Sequence, residues 1–128
     1  MDYSPIINGK NILITGGTGS FGRQLVKEIS GLSPKNVVIY SRDEDKQYSM
    51  KQDLSDEKIS KRISFVIGDI RDYDSVNKAV KGQDIVIHLA ALIGIPYSYA
   101  SPIAYLKTNV EGTYNVFRAQ DQTKSIKL

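Results

Sequence analysis

Four glycines fall within seven residues, at positions 16, 17, 19 and 22 of the stretch LITGGTGSFGRQLV (Leu13–Val26). The spacing fits Gly-x-Gly-x-x-Gly from Gly17 and the offset Gly-x-x-Gly-x-x-Gly from Gly16. In a strand-to-helix turn, one glycine takes a positive φ, a second lets a pyrophosphate approach the backbone, and a third, here Gly22, lets the helix pack against the strand. The unpaired amides and the dipole at the start of the helix then favour an anionic phosphate. An ordinary glycine turn is the alternative, but the apolar run before the glycines and the helical pattern after them favour the phosphate site.

The residues after the second apolar run predict which dinucleotide such a loop would hold. Ser41 is the first residue past NVVIY, Arg42 follows it, and Lys46 lies one helical turn later. Sites that prefer NAD place an acid here for the ribose 2′-hydroxyl, whereas a 2′-phosphate is held by arginine. Asp43 either supplies that acid or caps the next helix. The planar guanidinium and the hydroxyl favour NADP, with NAD as the alternative.

The ends of two further apolar runs offer contacts to the same ligand. Asp69, in GDI, is placed to contact the edge of an adenine, or alternatively to bind its own loop backbone. The small side chains of Ala90 and Ala91, in HLAA, would let a flat cofactor lie close, and simple core packing explains them equally well. His88 lies among apolar neighbours in mid-strand, which favours a satisfied core histidine over a catalytic one.

Strand-like and helix-like segments alternate along the chain, which predicts an α/β fold. Short apolar runs at 11–15, 36–40, 63–70 and 84–91 are typical of strands buried on both faces. Helical patterns start at Ser20, near Asp43 and after Ile70. Strands joined by helical crossovers form a parallel sheet with helices on both faces. We therefore predict an incomplete Rossmann-type doubly wound sheet of about four strands in the order 3-2-1-4, with the final SIKL beginning a fifth strand.

The stretch after the fourth run predicts an irregular loop and then one long helix. The loop is IGIPYSYAS, and Ser101 is expected to cap the helix with Pro102 in its first position. The helix continues through Gln122. Its apolar positions recur every three or four residues, as on one face of an amphipathic helix, and are Ile103, Leu106, Val110, Tyr114 and Phe117.

Composition excludes several other classes of protein. The 128 residues contain no cysteine and one histidine, which excludes a disulfide scaffold, a thiolate zinc site and a multi-histidine metal site. A net charge of +3 is spread along the chain, without the basic patch of a nucleic-acid binder. No signal peptide and no apolar run of about 20 residues is present. We therefore expect a cytoplasmic protein with neither a nucleic acid nor a membrane as its partner.

Five ordered motifs, TGGTGSFG, YSRDEDKQ, GDIRD, HLAAL and KTNVEGTYNV, resemble those of the extended short-chain dehydrogenase/reductases. Within that family they look like the nucleotide-sugar epimerases and dehydratases. The pairing of GGTGSFG with SRDEDKQ is similar to the UDP-N-acetylglucosamine 4,6-dehydratases of polysaccharide and flagellin-sugar biosynthesis. The resemblance covers nearly all of the chain from about residue 9 onward and does not determine the sugar.

The resemblance also implies a role for each matching residue. The pyrophosphate would be lined by the loop with Gly16, Thr18, Gly19, Ser20, Phe21 and Gly22. The 2′-phosphate would be held by Ser41, Arg42 and Lys46. The adenine would be bordered by Asp69 and Ile70, and the ribose on the nicotinamide side by Leu89, Ala90 and Ala91. The segment Ile93–Tyr99 would face the sugar, or alternatively be a surface loop stiffened by Pro96. Asn109 would bridge helix and strand backbone, with an exposed helix asparagine as the alternative.

The catalytic residues of the family have no counterpart in this sequence. Catalysis there depends on a Tyr-x-x-x-Lys pair, and none of the eight tyrosines here has lysine four residues later. We therefore expect residues 1–128 to form a single truncated NAD(P)-binding domain without the catalytic half and the sugar-binding C-terminal domain, inactive by itself. A non-catalytic dinucleotide-binding module or redox-sensing subunit is the alternative. An open edge of the fourth strand would also offer a route to a homo-oligomer.

Overall fold

The apolar runs of the sequence lie side by side as parallel strands of one sheet. The computed structural model describes residues 1–54, 56–123 and 126–127. The strands are β1 (Asn11–Thr15), β2 (Asn36–Ser41), β3 (Ile63–Ile67), β4 (Ile85–His88) and β5 (Ile126–Lys127). Their order is β3-β2-β1-β4-β5, which confirms the predicted order 3-2-1-4 and adds a short fifth strand.

Strand β4 does not form a fully open edge of the sheet. Ile85 and Val86 pair with Ile126 and Lys127 of β5. The expectation of a bare edge at the fourth strand is therefore wrong along these two residues. Of the four residues predicted to begin a fifth strand, Ser125 and Leu128 lie outside the described part of the chain.

Helices connect the strands and cover both faces of the sheet. They are α1 (Ser4–Ile7), α2 (Ser20–Ser30), α3 (Glu44–Asp53), α4 (Glu57–Ser60), α5 (Tyr73–Val80), α6 (Ile95–Ala100), α7 (Pro102–Tyr105), a π-helical segment (Leu106–Gly112) and α8 (Thr113–Thr123). In the described ranges, no helix combines the length and the apolar character needed to cross a bilayer.

Two hydrophobic clusters lie on opposite faces of the sheet because successive side chains of a strand point to opposite sides. Ile12 and Ile14 of β1 point to the face covered by α2 and α3, where Val26 and Met50 are fully buried. Leu13 points to the other face, which α5 and α8 cover with Val76, Val80, Val116 and Ala119. The central strand is therefore buried on both sides, as its uninterrupted apolar sequence predicts.

The segment after β4 differs from the sequence-based expectation in two ways. The predicted irregular loop contains α6, with Pro96 in its first turn, where a missing amide hydrogen costs nothing. Pro102 begins α7 as predicted, but the side chain of Ser101 makes no capping hydrogen bond. The predicted single helix is instead α7, the π-helical segment and α8 in succession.

The apolar stripe expected along this long helix faces outward. All five of its members are more than half exposed: Ile103, Leu106, Val110, Tyr114 and Phe117. The buried side of the helix carries small and polar residues, namely Thr108, Gly112, Asn115, Val116, Ala119 and Gln120. The spacing of apolar residues identifies an apolar face of a helix, but it does not say whether that face is the buried one. Here the helix lies close to the sheet and its loops, so the buried face carries small residues.

This reversal of faces predicts unequal effects from the same substitution at two valines. Val116→Ala removes two buried methyl groups and should lower the free energy of unfolding by about 2 kcal/mol. Val110→Ala, at an exposed position, should change it by less than about 0.5 kcal/mol. Urea unfolding followed by circular dichroism measures both, and equal losses would contradict the assignment of the buried face.

Candidate functional site

A cavity of about 1130 Å³ opens where the carboxyl ends of β1, β2 and β4 meet the start of α2. All of the residues predicted to contact a cofactor line it, except Asp69: Gly16, Thr18, Gly19, Ser20, Phe21, Gly22, Ser41, Arg42, Lys46, Ile70, Leu89, Ala90 and Ala91. This is the crevice outside the strand ends at which doubly wound sheets bind ligands. The sequence therefore predicted residues that the fold brings together from four separate segments.

Close backbone contacts explain two glycines of the loop between β1 and α2. Gly16 has φ +69°, and a Cβ placed there would lie 2.7 Å from the amide nitrogen of Ala90. A Cβ on Gly22 would lie 2.6 Å from the backbone of Gly17, so the start of α2 packs on the loop itself rather than on β1. No side chain caps α2 at Gly19, which leaves the amides of its first turn for a ligand or water.

Arg23 joins the glycine loop to α3, and the sequence carried no signal for this role. Its Nε donates to the carbonyl of Thr18 at 3.2 Å, and its Nη2 donates to the carbonyl of Lys46 at 3.3 Å. Its Nη1 pairs with Asp53 Oδ2 at 2.6 Å. The guanidinium of Arg23 therefore links the glycine loop, which follows β1, to α3, which follows β2.

Asp43 acts as a helix cap, one of the two roles considered for it. Its Oδ1 accepts a hydrogen bond from the backbone nitrogen of Lys46 at 2.9 Å, at the start of α3. Ser41, Arg42 and Lys46 lie beside it on the cavity wall, together with the exposed Glu44 and Asp45. The acid closest to the end of β2 therefore already has a structural partner.

Asp69 lies behind the cavity wall and binds its own loop. Its Oδ1 accepts from the backbone nitrogen of Arg71 at 2.9 Å, and the guanidinium of Arg71 donates to both of its oxygens. These bonds to Arg71 lower the pKa of Asp69 below its usual value. Arg42 is a more distant partner at 3.9 Å. The loop-binding alternative is what the structure shows, and contact with an adenine stays a prediction.

His88 connects β1, β4 and the following helix through two threonine hydroxyls. Thr15 Oγ1 accepts from the amides of Leu89 and Ala90 at 3.2 and 3.3 Å, so its own hydrogen is available to His88 Nδ1 at 2.6 Å. His88 Nε2 then donates to Thr113 Oγ1 at 3.0 Å. This network assigns a neutral imidazole, and burial lowers the pKa of His88 in agreement with it. Both ring nitrogens of His88 therefore have partners, although the residue is only partly buried; its role as a satisfied core histidine, and not a catalytic one, stays a prediction.

The helix after α7 fixes the backbone of two loops on the cavity wall. Asn109 accepts from the amide of Leu92 at 2.8 Å and donates to its carbonyl at 2.9 Å, so it bridges helix and strand-end backbone as expected. Asn115 Nδ2 donates to the carbonyl of Ile70 at 2.9 Å. Gly112 lies against the same Ile70, whose Cδ1 would be 2.6 Å from an added Cβ. These contacts place Ile70 and Leu92 along the cavity.

Thr108 is a cavity residue that the sequence analysis missed. It is buried and lines the cavity, and its Oγ1 has no hydrogen-bond partner in the described ranges. A buried hydroxyl without a partner is costly unless a ligand or water satisfies it. Of the segment expected to face a sugar, Ile93 lines the cavity, while Ile95–Ala100 forms α6; the sugar contact stays a prediction.

The glycine loop, the strand order and the position of the cavity together define a Rossmann-type fold. The chain belongs to the polysaccharide biosynthesis protein family, whose model matches residues 12–128. This membership and the relatives described next confirm the resemblance to the nucleotide-sugar epimerases and dehydratases.

Relatives with assigned names match the chain at similar identity. UDP-N-acetylglucosamine 4,6-dehydratase (inverting) of Campylobacter jejuni (strain 81-176) is 42% identical over 115 residues, covering 89% of this chain and 33% of that protein. UDP-glucose 4-epimerase of Rickettsia bellii (strain RML369-C) is 41% identical over 128 residues, covering 93% and 35%. The X-ray structure of Pen from Bacillus thuringiensis matches with a TM-score of 0.89 at 34% identity, covering 93% and 37%. The chain spans about a third of the length of the curated relatives it matches.

Two glycines of the loop should respond differently to alanine. Gly22→Ala forces a Cβ against the backbone of Gly17, which cannot rotate away, and should lower the free energy of unfolding by about 3 kcal/mol. Gly19→Ala meets only the carbonyl of Gly16 at 3.7 Å and should cost less than about 1 kcal/mol. Thermal unfolding of both variants tests the packing, and a Gly22→Ala variant as stable as Gly19→Ala would contradict it.

The buried neutral state of His88 predicts a pH dependence of stability. As pH falls through the ordinary histidine pKa of 6.5, the unfolded chain takes up a proton more readily than the folded chain does. The free energy of unfolding should therefore fall between pH 7.5 and 5.5, by at most about 1.4 kcal/mol per pH unit. His88 is the only histidine, so His88→Gln should remove this slope. An equal slope in the variant would refute the explanation.

Proposed function

We propose that this chain is the dinucleotide-binding part of a nucleotide-sugar 4,6-dehydratase or epimerase that acts on UDP-N-acetylhexosamines in glycoconjugate synthesis. The observation that carries the proposal is that thirteen of the fourteen residues predicted to contact a cofactor line one cavity at the strand ends. The naming of relatives as a UDP-N-acetylglucosamine dehydratase and a UDP-glucose epimerase supports the substrate class.

The residues of the cavity fit a dinucleotide. An added Cβ at Gly19 would meet only the carbonyl of Gly16 at 3.7 Å, so a glycine there leaves space for a pyrophosphate to approach the backbone beside the uncapped start of α2. The small side chain of Ala90 lines the cavity, and so does Thr108, whose hydroxyl has no partner among the described residues and offers a hydrogen bond to a ligand. A bound nicotinamide dinucleotide would supply hydride transfer, while these residues bind it and orient it.

The end of β2 supports NADP over NAD. Arg42 and Lys46 carry positive charge on the wall where the ribose of the adenosine half would lie, and Ser41 offers a hydroxyl. Asp43 caps α3 through Oδ1, which favours a structural role for this acid over binding of a ribose 2′-hydroxyl. Among the described residues, the ion-pair partner of Arg42 is Asp69 at the long distance of 3.9 Å, and the Arg42 side chain is half exposed. It is therefore available to a phosphate.

The proposal assigns binding, and not turnover, to these 128 residues. The Tyr-x-x-x-Lys pair of the family has no counterpart among them, and the relatives are about three times as long. We therefore propose that they form a single dinucleotide-binding domain, and that the acid/base chemistry and most of the sugar contacts belong to the remaining length of such an enzyme.

Calorimetric titration with NADP and NAD tests this function. NADP should bind more tightly than NAD. Arg42→Ala should weaken NADP binding at least about tenfold, the effect of losing one charge-assisted hydrogen bond, and leave NAD binding within about twofold. The matched control is Arg62→Ala, an equal change of charge at a residue that does not line the cavity.

Each outcome of this titration bears on a different part of the proposal. A chain that binds neither dinucleotide would refute the function altogether. Tighter binding of NAD than of NADP would refute the assigned cofactor. Turnover of a UDP-sugar by the chain with NADP would refute the statement that catalysis lies outside these residues.

A further inference from the structure

Gln47 is a buried polar residue that touches the proposed cofactor site without lining it. It lies on α3 and is only 4% exposed. Its Nε2 donates to the carbonyl of Val66 at 2.8 Å and to Ser41 Oγ at 2.9 Å, with a longer contact to the carbonyl of Ser41 at 3.4 Å. Ser41 lines the cavity at the end of β2.

The hydrogen-bond partners determine which way this amide is turned. The carbonyl oxygen of Val66 can only accept, so the group beside it must be the NH₂ of Gln47 and not its oxygen. One amide hydrogen is taken by Val66, and the second belongs to Ser41 Oγ, the closer of the two remaining acceptors. The Ser41 hydroxyl is therefore an acceptor toward Gln47.

The same geometry leaves the hydrogen of the Ser41 hydroxyl for the cavity. A serine hydroxyl has one hydrogen to donate, and the described residues provide no second partner for this oxygen. Accepting from an amide also makes a hydroxyl a better donor, because hydrogen bonds in a chain polarise one another. Ser41 is thereby prepared to donate to an acceptor in the cavity.

We propose that Gln47 is a positioning residue that selects for the 2′-phosphate of the dinucleotide by making Ser41 a hydrogen-bond donor. A phosphate offers acceptor oxygens only, whereas a ribose 2′-hydroxyl also has a hydrogen of its own to place. The inference rests on the proposed function, since it concerns which dinucleotide the same cavity prefers.

A purely structural role is the competing explanation, because Gln47 also ties the end of β2 to β3 through Val66. Loss of that tie would weaken the binding of both dinucleotides together. Loss of the donor would change the ratio of the NAD dissociation constant to the NADP dissociation constant, and only while Ser41 is present. The ratio is therefore the quantity to measure.

The test is a double-mutant cycle on the full chain, with dissociation constants for NADP and NAD from calorimetry. Ser41→Ala should lower the NAD/NADP ratio about tenfold and Gln47→Met several-fold, since a hydrogen bond to a charged group is lost or weakened. In the Ser41→Ala background, Gln47→Met should lower the ratio no further. Gln52→Met, at an exposed position of α3, is the matched control and should leave the ratio unchanged.

Gln47→Glu is a second variant, measured beside Gln47→Met, in case the apolar side chain prevents folding. The ionised carboxylate can only accept, so it would take the hydroxyl hydrogen of Ser41 and remove it from the cavity. The ratio should fall in the otherwise wild-type chain and not in the Ser41→Ala background. Circular dichroism establishes that each variant is folded.

The outcomes separate this inference from the function on which it rests. An unchanged ratio in both Gln47 variants, or a ratio that falls equally in the Ser41→Ala background, would overturn the role of Gln47 and leave the proposed function intact. A wild-type chain that binds neither dinucleotide would overturn both.

Discussion

Strand β1 pairs with β2 on one side and with β4 on the other, and this double pairing determines where every wall of the cavity stands. The register aligns Thr15 with Tyr40 and with His88, so that β1 and β4 end at the same level and β2 ends one residue later. The chain can then turn into α2 only by passing close to Ala90, which requires a glycine in a left-handed conformation at Gly16. The space that a ligand would fill is therefore created by the backbone geometry and does not depend on any charged side chain.

Features determined by short stretches of sequence could be predicted. Buried parallel strands are continuous apolar runs, and the glycine loop has a fixed spacing because each glycine meets a separate steric demand. The strand order followed from the doubly wound nucleotide-binding fold, and the grouping of the site residues followed from the strand order. Such a feature can be predicted when the local conformation and the overall topology both require the same type of residue at a position.

Features that depend on contacts between distant segments could not be predicted. Arg23 follows the glycine loop and Gln47 ends the motif YSRDEDKQ, but no sequence pattern gave either a role, and only the fold shows their contacts with Thr18, Lys46 and Ser41. The exposed apolar stripe of the last helix was visible as a period of three to four, but a period does not say which face meets the sheet. The break into a π-helical segment was equally hidden, because Asn109 and Gly112 are placed there by the loops of Leu92 and Ile70.

The separation of β1 from β4 has a consequence for how the chain acquires its shape during synthesis. Thr15 and His88 are 73 residues apart, and at ribosomal rates of about 5–20 residues per second β4 emerges roughly 4–15 seconds after β1. β2 and β3 emerge with their helices in the course of that interval, whereas the side of β1 that pairs with β4 stays uncovered until its end. A nascent chain thus exposes Leu13 and its neighbours for seconds, and this interval is when chaperones would matter most for this protein.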